Sequence, residues 1–190
     1  MFKNKINEII FYFSKFYLKK FVKLNLSYLS ALILLINLRR VKRIYCKKTD
    51  KKIIILQKTG GIEDILSAYR NSDKDNNIGY YTLPRILIKI IFYKFLKNEK
   101  FGDYLTIDFS ESIKNKKKYY KSFLKKTFSQ LDNLWKFNAV IGFNPFYYAE
   151  HDLAEPIKDI GKKFLIIHKE SVHSPVEHII NFEVYRDQNK

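Results

Sequence analysis

From residue 53 onward, short uncharged runs alternate with longer amphipathic ones. Residues 53–57 (IIILQ) form a β-branched run closed by Thr59-Gly60-Gly61, the pattern of a strand buried on both faces. Residues 62–70 place Ile62, Ile65, Leu66 and Tyr69 at helical spacing, and a polar loop over 71–77 ends that helix. Residues 78–83 (IGYYTL) read as a second strand stopped by Pro84, and 85–97 as a helix apolar nearly all round, hence well buried. Residues 104–109 (YLTIDF) are a third strand, at an edge or in an extended loop. Residues 112–137 make a long lysine-rich helix whose inner stripe is Ile113, Tyr120, Phe123, Leu124, Phe128, Leu131, Leu134 and Trp135. A strand over 139–143, a helix over 150–160 capped by Gly161, and a strand over 164–168 complete the series. Uncharged strands separated by helices specify an α/β fold. It is Rossmann-like, a mostly parallel sheet of about five strands with helices on both faces and right-handed crossovers.

The N-terminal pattern is different. Residues 24–38 (LNLSYLSALILLINL) contain no charge and lie between Lys19, Lys20 and Lys23 on one side and Arg39, Arg40, Lys42 and Arg43 on the other. As a helix this run is roughly 22 Å long, short of the ~30 Å hydrocarbon core of a bilayer. Before it, 6–22 carries Ile9, Ile10, Phe13, Phe16, Tyr17 and Phe21 near helical spacing with lysines interleaved, a composition suited to a helix in the headgroup plane. Residues 1–50 are therefore expected to form a basic, apolar, helical appendage that associates with a membrane in plane. The alternatives are an amphipathic pair packed on the domain over 51–190, and a true span.

Charge sharpens this reading. The 190 residues carry a net charge of +17, and residues 1–52 hold 14 Lys/Arg against only Glu8 and Asp50, so most of the excess sits in the first quarter of the chain. A nucleic-acid-binding domain usually spreads its basic residues over a folded face, whereas a basic, apolar N-terminus points to an anionic membrane surface. With 46% apolar residues the chain is not disordered, and a single cysteine, Cys46, excludes a disulfide scaffold. Of the 36 basic residues 30 are lysines, a usage that an AT-rich genome also produces. The lysines of the 112–137 helix (114, 116, 117, 118, 121, 125 and 126) fall outside its inner stripe and read as a solvated face ahead of a phosphate-binding stripe.

In parallel α/β sheets ligands bind at the carboxyl ends of the strands. The first strand ends in Thr59-Gly60-Gly61, a tight turn able to present amides to a polar ligand. Glu63 and Asp64 follow in the first helical turn, where they satisfy the helix dipole and repel phosphate. Neither GxGxxG nor GxxxxGK[ST] occurs. Asn144, Tyr147 and Tyr148 follow the 139–143 strand and suit stacking and hydrogen bonding to a sugar or base. The last strand delivers His168, Lys169 and Glu170, an imidazole and a carboxylate fit to act as general base and orienting partner, with an ammonium between them. No metal is expected, because HxH and HExxH spacings are missing, and no GxSxG supports a nucleophilic triad.

The segments IIILQKTGGIEDILSAYR, YYTLPR, LDNLW and AVIGFNPFYYAEHDLAEPIKDIGKKFLIIHKESVHSP resemble the N-terminal half of bacterial surface-polysaccharide glycosyltransferases of the two-domain GT-B type. The likeness is most specific over 160–170, which ends in the His168-Lys169-Glu170 strand, and it covers roughly 51–185. It implies a membrane-associated, Rossmann-like acceptor domain whose base lies at the strand ends, so Glu63, Asp64, His168 and Glu170 are the catalytic candidates. Thr59, Gly60, Gly61, Asn144, Tyr147, Tyr148 and Lys169 are then the substrate-binding candidates. It further implies a nucleotide-sugar donor as substrate, no cofactor, a glycan or lipid-linked acceptor, and a place at the cytoplasmic face of the membrane. A C-terminal nucleotide-sugar domain or partner chain beyond Lys190 completes catalysis in such enzymes. The competing expectation is a non-catalytic basic module for anionic membrane or nucleic acid. The nucleic-acid branch lacks an RRM, KH or helix-turn-helix signature.

Overall fold

The computed structural model describes residues 2–41, 50–57, 63, 65–67, 77–96, 111–143 and 152–167. Within them the chain runs α1 (Phe2–Lys23), α2 (Ser27–Ile36), β1 (Arg39–Arg40), β2 (Lys51–Gln57), β3 (Ile78–Pro84), α3 (Arg85–Leu96), α4 (Glu111–Trp135), β4 (Ala139–Gly142), α5 (Ala154–Asp159) and β5 (Lys163–Ile166). The five strands form one sheet in the order β1-β3-β2-β4-β5. Pairing is parallel throughout except for β1, which joins β3 antiparallel with Arg39 opposite Thr82. The fold is thus α/β with a five-stranded, mostly parallel sheet. Its fifth strand is β1, which two arginines give no strand pattern to detect. The strand expected over 104–109 lies outside the described residues.

Alternation along β2 explains why its sequence is apolar at every central position. Ile54 and Leu56 enter a large core with side chains of all five helices, whereas Ile55 packs on the opposite face with Ile65, Leu66, Ile141 and Phe143. The helical residues 63 and 65–67, between β2 and β3, lie on the second face, and α3, α4 and α5, after β3 and β4, lie on the first. Crossovers of one hand require this split: the chain moves one way from β2 to β3 and the other way from β3 to β4 and β5. The direction of strand addition therefore reverses between β2 and β4.

The charge boundary near residue 50 is not matched by a break in packing. Leu18 and Val22 of α1 and Ala31 and Leu34 of α2 share the large core with Leu83, Leu87, Phe128 and Val140. Small residues at Ser30 and Ala31, both without exposure, let α2 approach α4 closely. The N-terminal segment packs on the domain, and it uses one face of α1 only to do so.

A polar clasp fixes the pair. Asn37, at the end of α2 and 2% exposed, donates from Nδ2 to Ser14 Oγ (2.8 Å) and to Ile33 O (2.7 Å), and Ser14 Oγ donates to Ile10 O (2.7 Å). Arg39 reaches Asn7 Oδ1 at 3.2 Å. The α1–α2 turn closes on Asn25, whose φ of 56° is left-handed and whose amide bonds Val22 O, while Leu26 N bonds Phe21 O at 2.8 Å. This paired closure is the usual helix stop, and asparagine tolerates the left-handed backbone better than most residues.

Candidate membrane-docking face and ligand edge

α1 is apolar on both sides. Asn7, Phe11, Ser14, Leu18 and Val22, three or four residues apart, point to the core and to the Asn37–Arg39 clasp. On the opposite side Ile6, Ile9, Tyr12, Phe13, Phe16 and Tyr17 are 43–68% exposed. The outer side departs from an ordinary surface helix, because large aromatics stand exposed there beside the lysines, while the inner side combines Phe11, Leu18 and Val22 with the polar Asn7 and Ser14. The outer rings are ordered among themselves: Phe13 stacks on Tyr17 at 6.4 Å and Tyr17 on Phe21 at 6.0 Å. Lys20 Nζ lies 4.4 Å from the Phe16 ring centroid, and Lys15 Nζ 5.0 Å from that of Phe11. Leu24 (64%) and Leu26 (39%) in the turn and Tyr28 (49%) at the start of α2 add further exposed apolar surface.

A contiguous apolar surface of this kind on a folded chain marks an interaction site. Lysine stems can lie along apolar surface while their ammonium groups stay in water or meet anionic headgroups. Lys19, Lys20 and Lys23 are exposed on the same helix as the rings. Among the described residues no helix is long and apolar enough to cross a membrane.

The second candidate region is the carboxyl edge of the sheet, marked by Gln57, Pro84, Phe143 and Ile167. Of the residues expected to carry chemistry, Glu63 is described. It stands exposed in the helical turn after β2. Thr59, Gly60, Gly61, Asp64, Asn144, Tyr147, Tyr148, His168, Lys169 and Glu170 lie outside the described residues. So do Cys46 and all four histidines; among the described residues no group of His, Cys, Asp and Glu could hold a metal ion.

Sequence reasoning missed a third feature. α4 and α5 enclose an open groove of about 480 Å³ walled by Lys114, Lys117, Lys118, Lys121 and Lys125 and faced by Glu155 and Asp159. The lysine periodicity was visible, but the acidic wall stands some thirty residues further along, beyond any helical spacing.

No protein-family model, curated protein or solved structure matches this chain.

Proposed function

We propose that the protein is a peripheral membrane protein that docks on an anionic bilayer, at the cytoplasmic leaflet, through the outer face of α1. The observation that carries this reading is the second apolar face of α1, with six large apolar side chains exposed on the side away from the core. The helix would lie in the interface plane, rings toward the acyl boundary and lysines among the headgroups. Flotation of the full chain with liposomes tests it. Binding is expected to vesicles containing phosphatidylserine or phosphatidylglycerol and to weaken at high salt, because electrostatic attraction is screened. Equal partitioning to neutral and anionic vesicles, or none to either, refutes it.

At that surface the sheet would serve as a Rossmann-like acceptor domain of the GT-B glycosyltransferase type. The reversal of strand order between β2 and β4 supports this, since ligands of such sheets bind at the carboxyl edge beside the reversal. Gln57 and Gly142 end the two strands there, and Thr59, Gly60, Gly61, Asn144, Tyr147 and Tyr148 follow them in sequence. In this reading His168 or Glu170, or the pair Glu63 and Asp64, deprotonates an acceptor hydroxyl, Lys169 holds an anionic group, and a nucleotide-sugar domain completes transfer. Saturation-transfer NMR with a panel of saccharides and nucleotide-sugars is the test. Saccharide signals lost in Tyr147→Ala and Tyr148→Ala support the reading; absence of transfer to any sugar removes it.

A further inference from the structure

We infer that the groove between α4 and α5 is a binding site for a diphosphate-bearing ligand, a role separate from membrane docking and independent of the glycosyltransferase reading. Lys114, Lys117, Lys118, Lys121 and Lys125 climb one face of α4 at intervals of three and four residues and wall the groove, with the Ser122 hydroxyl among them. Like charges at that spacing weaken a helix, so the arrangement is costly unless counter-charges offset it. α5 and the turn before it offset part of it. Asp152, 2% exposed, lies 3.5 Å from Lys117 Nζ and 3.8 Å from Lys121 Nζ, Glu155 binds Lys121, and Asp159 lies 2.8 Å from Lys125 Nζ. Lys114 and Lys118 face the same space, and neither has an acidic partner among the described residues. The groove is therefore neutralised at the Lys125 end and positive at the Lys114 end.

Topology places the positive end where a ligand would arrive. The last turn of α4 stands at the amino ends of the strands, with Lys52 Nζ 4.7 Å from the Trp135 ring centroid and Asn138 N bonded to Lys52 O. α5 must return the chain from the carboxyl end of β4 to the amino end of β5, so Asp152 lies toward the carboxyl edge and Lys117 with it. α4, 25 residues long, extends roughly 37 Å, against roughly 23 Å for the seven-residue β2. Its first turns thus reach the carboxyl edge of the sheet. Lysines act as point charges on phosphate, and Lys114 and Lys118, one helical turn apart at the positive end, suit two linked phosphates better than one.

Calorimetric titration of the full chain with inorganic pyrophosphate at constant ionic strength tests the site. We expect saturable one-to-one binding, at least tenfold tighter than for orthophosphate, and a loss of at least tenfold in the double variant Lys114→Gln/Lys118→Gln. Both lysines are exposed, so circular dichroism of this variant should match that of the parent. Lys94→Gln/Lys126→Gln removes the same charge from exposed positions outside the groove and should leave the affinity within twofold. A nucleoside diphosphate and a short-chain prenyl diphosphate below its micellar concentration separate the sources. Binding of either that is lost with Lys114 and Lys118 supports the site and identifies a soluble ligand or a lipid headgroup. Absence of saturable pyrophosphate binding, or equal weakening by the two double variants, overturns the proposal.

Discussion

Replacing Phe13 and Phe16 together by serine isolates the outer face of α1 from its structural role. The two rings are 53% and 49% exposed, which for side chains of this size is on the order of 100 Å² each left in water. At about 25 cal/mol per Å², full immersion of that surface is worth roughly 2.5 kcal/mol per ring. Each 1.4 kcal/mol is tenfold in an equilibrium constant, so one ring contributes up to about sixtyfold in partitioning, and about eightfold if half of its open surface reaches the acyl boundary. The pair is therefore expected to lower the partition coefficient for anionic liposomes by between about sixtyfold and three orders of magnitude. The assay is flotation across a lipid titration, with urea unfolding of the same variant as control. The urea midpoint should change little, since surface substitutions usually stay within ~0.5 kcal/mol. A partition coefficient within threefold of the parent, with the fold intact, would refute the assignment of this face to the bilayer.

The inner face should give the opposite result. Leu18→Ala, at a position with no exposure, is expected to cost about 2–5 kcal/mol in urea unfolding while leaving the lipid affinity of the folded fraction unchanged. Asn37→Ala removes two hydrogen bonds from a buried site and is expected to destabilise by roughly 2–3 kcal/mol. In a double-mutant cycle with Ser14→Ala the two should couple by at least ~0.5 kcal/mol, and strict additivity would show that the clasp is not a unit. Removing residues 1–50 strips Leu18, Val22, Ala31 and Leu34 from the core and should abolish the cooperative thermal transition. A truncated chain that still melts sharply would show that the remainder is a domain by itself.

Elements whose pattern is local were legible in the sequence. The uncharged run at 53–57 announced a strand buried on both faces, and Ile54 and Ile55 do enter opposite cores. Tyr120, Phe123, Leu124, Phe128 and Leu131 form the buried stripe of α4 that helical spacing marks out, while Leu134 of the same stripe is 39% exposed at the helix end. The polarity of α1 was not legible. Hydrophobicity alone does not choose between the two apolar sides, and the inner one, with Leu18 and Val22, is also the one that meets Asn37 and Arg39, partners 23 and 32 residues away for Ser14 and Asn7. β1 was missed for a similar reason: Arg39 and Arg40 become a strand because β3 offers an open edge, with Thr82 Oγ1 bonding Arg39 O at 3.2 Å. The candidate site was legible only as a place, the carboxyl edge. Glu63 stands there exposed, and His168 and Glu170 lie past the last described residue, Ile167.

The docking of α2 against α4 also sets an order of events during synthesis. The helix pair is made first, but its main partner, α4, begins at Glu111, so roughly 90 residues separate Leu34 from the core of α4. At bacterial or eukaryotic elongation rates of about 5–20 residues per second, that gap lasts on the order of 5–20 s. Throughout it the face of α2 that will pack on α4 is open to whatever lies near the ribosome, and until α3 is made so is the part of the inner face of α1 that packs on α3. A nascent chain in this state can meet lipid before it can complete its own core, so the choice between bilayer and core for each face of α1 is made in time as well as by affinity.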